Sequence, residues 1–137
     1  MLGEFFCCEV DEIDDSLLTT GPGSAHPGVA ANGLSPVDIA KLGEILGVGT
    51  YRDVLDLTAR VHRESASGES GVYDVPESLL AALVDTADLA EVAGRWSETD
   101  ELRLSGWNAT ATGSVLAGLK TLAARRGTKP LWYWWSV

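Results

Sequence analysis

The chain contains no apolar run close to the roughly 18 residues that a membrane-spanning helix needs. We expect no secretory signal peptide at its start, because no Lys or Arg precedes the first apolar residues and Glu4 and Glu9 interrupt them. We therefore expect a cytoplasmic protein with no membrane partner.

Cysteine and histidine are scarce, with only Cys7, Cys8, His26 and His62 in the whole chain. A disulfide between adjacent cysteines would close a strained ring, so both are predicted to be small buried hydrophobic side chains in a reducing compartment. No further cysteine and no histidine close in sequence completes a metal site, so we expect neither a metal nor a cofactor. No catalytic residue is predicted. A dyad of Cys7 or Cys8 with His62 stays open, although no nucleophile signature accompanies it.

Basic residues are outnumbered, since 10 Lys and Arg face 20 Asp and Glu and the net charge is −10. Phosphate backbones repel such a surface, and we expect no nucleic-acid partner. The charged residues are unevenly distributed along the chain: residues 1–40 contain no Lys or Arg, and no Asp or Glu follows Glu101. Either the two ends lie side by side and neutralise each other, or the acidic end attracts a basic partner. A halophilic source would also produce an acidic surface.

The densest group of acids is the segment "DEIDD", residues 11–15. Asp11, Glu12, Asp14 and Asp15 lack the alternating spacing, the turn glycine and the distal glutamate of a calcium loop. The simplest interpretation is a solvated acidic turn, and its functional version is a contact with a basic protein partner.

Helix signals dominate the middle of the chain. Ser35, Pro36 and Asp38 form a strong helix start, and later apolar stripes predict further helices, one of which buries Trp96. The segments 19–33 and 64–71 are predicted to be loops, because the first is rich in Gly, Pro and Ala and the second in Ser and Gly. We expect one domain over residues 1–137, with an α+β fold that is mainly helical and has about four or five helices.

Aromatic residues collect at the C-terminus, in "LWYWWSV" at 131–137. As a strand this segment is apolar on both faces, and the segment 3–10, "GEFFCCEV", is the only other clear strand. The small sheet is therefore predicted to include the N-terminal and C-terminal strands. Trp132 and Trp134 then belong to the core, or alternatively form an exposed aromatic anchor for a partner.

A small, acidic, single-domain protein without motifs resembles immunity proteins and antitoxin-type inhibitors in profile, which implies a protein-binding module with a basic partner. The predicted contact residues are Asp11, Glu12, Asp14, Asp15, Trp132 and Trp134. One alternative is a small enzyme with a site around the loop 19–33 and His26. Another is a structural domain that self-associates through its aromatic end, and the sequence is compatible with a monomer or a homodimer.

Overall fold

The computed structural model describes all 137 residues, Met1–Val137, and is organised around one antiparallel sheet of five strands. The strands are β1 Leu2–Cys7, β2 Gly28–Ala30, β3 Val61–Glu64, β4 Ser70–Asp74 and β5 Leu131–Ser136, in the order β2-β1-β5-β4-β3. The C-terminal strand β5 is central, and it pairs with β1 on one side and with β4 on the other. The prediction that the two ends of the chain share a sheet is confirmed.

Seven α-helices connect and cover the strands: α1 Asp15–Thr20, α2 Pro36–Ile45, α3 Tyr51–Thr58, α4 Glu77–Asp85, α5 Leu89–Ser97, α6 Asp100–Leu104 and α7 Ala109–Arg125. Five of them have seven residues or more, which agrees with the α+β prediction. Helix α2 starts as predicted, since Ser35 and Asp38 form a reciprocal capping box and Pro36 opens the first turn. None of the seven combines the length and apolar content of a membrane-crossing helix.

The larger core lies between one face of the sheet and the helices α2, α4, α5 and α7. Phe5 and Tyr133 enter it from β1 and β5, and Leu42 and Leu119 enter it from the helices. Trp96 of α5 is fully buried there, and its indole N–H donates to the carbonyl of Asp38 at 2.9 Å. Helix α5 is therefore fixed to the start of α2 by packing and by a hydrogen bond.

The opposite face of the sheet carries a smaller second core. The side chains on this side of the sheet are those of Phe6, Val72, Trp132 and Trp134, together with Cys8 just beyond β1. Three side chains of the segment that follows β1 cover them, namely Ile13, Leu17 and Leu18. Both faces of β5 are thus covered, as its two-sided apolar pattern predicts.

Two predicted loops contain strands. The segment 19–33 includes β2, which pairs with β1 at the edge of the sheet, and 64–71 forms the turn of a hairpin between β3 and β4. Helix α3 ends at Thr58, and the chain enters β3 at Val61. Both edge strands are short and largely exposed, and such strands lack the apolar alternation that identifies a strand in sequence.

Candidate functional site

The acidic turn, which we define as residues 9–15, crosses the smaller core between β1 and α1. It contains a single turn of 3-10 helix, Val10–Glu12. Ile13 points into the core and anchors the turn, while the five carboxylates around it are exposed: Glu9, Asp11, Glu12, Asp14 and Asp15. The buried Ile13 side chain fixes the backbone of the turn, and all five carboxylates are left accessible to solvent.

Few cations compensate the acidic turn. Asp15 pairs with Arg63 of β3 at 2.9 Å, and Asp14 accepts a hydrogen bond from the Leu17 amide as the N-cap of α1. Glu9 and Asp11 have neither an ion pair nor a side-chain hydrogen bond. The pairing with Arg63 is exposed to solvent, so it contributes at most about 1 kcal/mol.

The basic C-terminal segment does not neutralise the acidic turn by direct pairing. Arg126 forms a two-pronged ion pair with Glu77 of α4 and also donates to the carbonyl of Lys129. No ion pair joins residues 125–129 to residues 9–15. The two ends nevertheless lie side by side, since Cys7 pairs with Leu131 and the positive charge of Lys129 opposes the rise in the pKa of the Cys8 thiol. The basic segment therefore offsets the acidic turn only without contact, and the carboxylates remain free of ion pairs with it.

Trp132 and Trp134, predicted as a possible aromatic anchor, are 5% and 6% exposed. Their indole N–H groups donate to the carbonyls of Cys8 and Leu18, at 3.1 Å and 2.9 Å. The two rings therefore hold the segment that carries the acidic turn onto the sheet. Their burial agrees with the prediction that they belong to the core and leaves little ring surface for the alternative of an exposed anchor.

The exposed apolar group of this surface is Val10, which is 52% exposed between Glu9 and Asp11. Sequence reasoning overlooked it because a single valine among acids has no periodic signal. The structure places it on the 3-10 turn, where it stands among carboxylates that have no partner.

Cys8, Glu12 and His26 converge beside the acidic turn. One ligand atom from each lies within 4.8 Å of the other two, and Glu12 Oε2 is 3.3 Å from His26 Nδ1. A cavity of about 390 Å³ adjoins them, lined by Glu12, His26 and residues 20–25. No local pattern in the sequence indicates this convergence, because the pairing of β2 with β1 is what returns His26 to Cys8. No histidine is close to the cysteines in sequence, but the fold brings His26 close to Cys8, so the premise of the sequence prediction is wrong.

The chemistry of Cys8 argues against a nucleophile. Burial, together with the neighbouring Glu12 carboxylate, raises the pKa of its thiol to about 12, so the thiol is protonated at neutral pH. His62 does not form the dyad left open by the sequence, because its ring packs on Trp132 with centroids 4.6 Å apart. Cys7 enters the larger core on the other face of the sheet.

A second cavity of about 390 Å³ lies where β4 leads into α4. Arg60, Asp74 and Glu77 line it together with Leu57 and Trp132. It contains no cysteine or histidine, and Glu77 is already paired with Arg126. The Ser78 hydroxyl also lines it but makes no hydrogen bond to a carboxylate or a histidine, so no nucleophile with a hydrogen-bonded base is present.

Comparisons with known proteins give no relative from which to transfer a function: no family model, no curated protein and no solved structure matches this chain.

Proposed function

We propose that this protein is a protein-binding module in which the acidic turn binds a basic surface of a partner, as in inhibitors of the immunity or antitoxin type that act in the cytoplasm. The observation that carries the proposal is the group of five exposed carboxylates within residues 9–15, of which only Asp15 has an ion pair with an arginine. A chain with a net charge of −10 adds a long-range field of the same sign.

The acidic turn has a fixed backbone, and it is therefore better suited to specific binding than a mobile acidic tail would be. The turn is held by Ile13 in the smaller core and by the indole of Trp132 on the carbonyl of Cys8. A fixed backbone loses little conformational entropy when a partner binds, which favours affinity. Val10 supplies an apolar contact at the centre of the charged surface, and charges around it would steer a basic partner and fix its orientation.

The test compares two variants with the same net charge. The turn variant carries Glu9→Gln and Asp11→Asn, and the control variant carries Asp56→Asn and Glu98→Gln. All four side chains are exposed and lack a partner, so both variants lose two negative charges from −10 without breaking a contact. Wild type and both variants are immobilised, and proteins retained from the source cell are identified and then produced in pure form for titration.

We expect a basic protein to be retained by wild type and by the control variant. A desolvated charge pair is worth about 1.5 kcal/mol or more, so the turn variant should bind that protein at least about tenfold more weakly. The difference should shrink as salt rises. Equal weakening of both variants would show that only net charge matters, and equal affinity of wild type and the turn variant would assign the contact to another surface. Either result overturns the proposal.

The alternatives find less support in the geometry. An enzyme at the loop 19–33 gains a histidine next to Cys8, but the thiol is held in its protonated form. Self-association through the aromatic end loses its basis, because β5 already has a partner strand on each side. A dimer formed by strand pairing would have to use β2 or β3.

A further inference from the structure

We propose that Cys8, Glu12 and His26 form a binding site for a divalent cation that prefers sulfur and nitrogen ligands, and that Zn²⁺ is the ion which fits them best. A thiolate, an imidazole nitrogen and a carboxylate oxygen are the three ligand types that zinc takes in proteins. Calcium and magnesium prefer oxygen ligands alone, so a set with one sulfur and one nitrogen disfavours them. The site lies beside the proposed partner surface but does not depend on that function.

The spacing is close to that of a tetrahedral zinc site. Zinc–nitrogen and zinc–oxygen bonds of about 2.0–2.1 Å at the tetrahedral angle place the two ligand atoms about 3.3 Å apart. Glu12 Oε2 and His26 Nδ1 are 3.3 Å apart. A zinc–sulfur bond of about 2.3 Å requires a sulfur roughly 3.6 Å from each of them. All three ligand atoms already lie within 4.8 Å of one another, so side-chain adjustments of about 1 Å close the site.

Each ligand stands on a segment that is fixed near the sheet. Cys8 directly follows β1, and its carbonyl accepts the indole N–H of Trp132. His26 directly precedes the Pro27 carbonyl that accepts a hydrogen bond from the Cys7 amide at 3.1 Å. Glu12 ends the 3-10 turn. A cation here would connect the acidic turn to the segment 20–27. The secondary structure of that segment consists of short elements only.

The electrostatic surroundings favour a cation. Glu9 and Glu12 both lie near the Cys8 sulfur and outweigh Lys129, the one basic residue that acts on it. No ion pair with Lys or Arg occupies either carboxylate. Binding converts the Cys8 thiol to a thiolate: the S–H bond breaks, a sulfur–zinc bond forms, and the proton is released to solvent. One zinc ion with a thiolate, a carboxylate and a neutral imidazole is then a neutral site.

The adjacent cavity can supply a fourth ligand, because two of the three proposed ligands line it. Glu12 and His26 line that cavity, so the ion has a path from solvent and a water can complete the tetrahedron. Asp14 and Ser24 also line it and offer oxygen atoms for hydrogen bonds to such a water. The expectation of a protein without a metal, drawn from the sequence, is replaced by this proposal.

The experiment uses the full chain, freed of metal with a chelator and titrated with Zn²⁺ and with Co²⁺ as a spectroscopic substitute. Tetrahedral Co²⁺ bound by a thiolate shows strong visible bands and a sulfur-to-cobalt charge-transfer band. We expect one equivalent to bind with both signatures, and Zn²⁺ to displace it. The melting temperature should rise on zinc binding, because the ion binds only the folded arrangement.

The chain supplies a matched control for every ligand. Cys8→Ser, His26→Gln and Glu12→Gln each remove a ligand, and Cys7→Ser, His62→Gln and Glu98→Gln change the same residue type outside the site. Loss of an outer-shell partner lowers metal affinity by about 10–100-fold, so loss of a ligand should lower it by at least about 100-fold. The controls should bind within a few-fold of wild type.

Glu12 is exposed and His26 is partly exposed, so these two variants test the site even if Cys8→Ser fails to fold. A wild-type protein that takes up no Zn²⁺, a cobalt complex without the charge-transfer band, or an affinity unchanged in His26→Gln or Glu12→Gln would overturn the proposal. Failure here leaves the partner test intact, because its turn variant keeps all three ligands.

Discussion

Replacing Tyr133 with Phe removes one oxygen atom from the centre of the sheet. The Tyr133 hydroxyl donates to the carbonyl of Ala31 at 2.7 Å and accepts from the amide of Leu34 at 3.2 Å. All three residues are at most 1% exposed. This hydroxyl therefore joins the central strand to the chain that leads from β2 into α2. Tyr133→Phe removes these two hydrogen bonds and leaves the ring in place.

The magnitude follows from the two backbone groups that would lose their partner. A buried polar group left without a hydrogen bond costs about 1–3 kcal/mol. Water cannot replace the oxygen easily, because Gly3 packs so tightly that a Cβ placed there would stand 1.8 Å from the hydroxyl. We therefore expect Tyr133→Phe to lower the free energy of unfolding by about 2–5 kcal/mol. At about 3 °C per kcal/mol for a chain of this size, the melting temperature falls by roughly 6–15 °C.

Tyr73→Phe is the matched control. Tyr73 lies directly opposite Tyr133 in the pairing of β4 with β5, and its hydroxyl makes no hydrogen bond. Its loss should change the free energy of unfolding by less than about 0.5 kcal/mol. Urea unfolding of both variants measures the difference in their free energies of unfolding, provided that the free energy falls with urea concentration at the same slope in both. If Tyr133→Phe is no more destabilising than Tyr73→Phe, the hydroxyl does not stabilise this connection and the reasoning is refuted.

Three further predictions concern the two cores. Trp96→Ala should lower the free energy of unfolding by about 3–5 kcal/mol in urea titrations, because the ring is fully buried and its N–H bonds to the Asp38 carbonyl; a loss under about 1 kcal/mol would contradict this. Deletion of residues 131–137 removes the central strand from both of its neighbours, so no cooperative thermal transition should remain in circular dichroism. Burial raises the pKa of the Cys8 thiol from 9.0 to about 12, so the folded state holds this proton more tightly than the unfolded chain does. In the presence of a chelator, stability should therefore fall as pH rises above about 9, and Cys8→Ala should make that fall shallower.

The parts of the fold that sequence predicted are those with strong local signals. The start of α2 at Ser35 and Pro36 follows from capping chemistry, and the burial of Trp96 follows from a helical stripe. The two terminal strands follow from apolar side chains on both faces. In each case one short stretch of chain contains the information that fixes the structure.

The parts that sequence missed depend on contacts between distant segments. Strand β3 has four exposed residues, so no alternation marks it, and its pairing with β4 is what makes it a strand. Strand β2 has three residues in a stretch of Gly, Pro and Ala, and it forms only alongside β1. The convergence of Cys8 and His26 depends on that same pairing and is equally absent from local patterns.

The smaller core links the two proposals to the stability of the sheet. Trp132 and Trp134 lie on the central strand, and their indoles hold the carbonyls of Cys8 and Leu18 on either side of the acidic turn. A change in either ring would therefore weaken partner binding and metal binding together, by releasing the turn rather than by removing a contact. Loss of function in such variants is no evidence that the rings touch a ligand. Substitutions of exposed residues remove a proposed contact without releasing the turn. Only these variants, at Glu9 and Asp11 for the partner and at Glu12 for the metal, therefore test the contacts themselves.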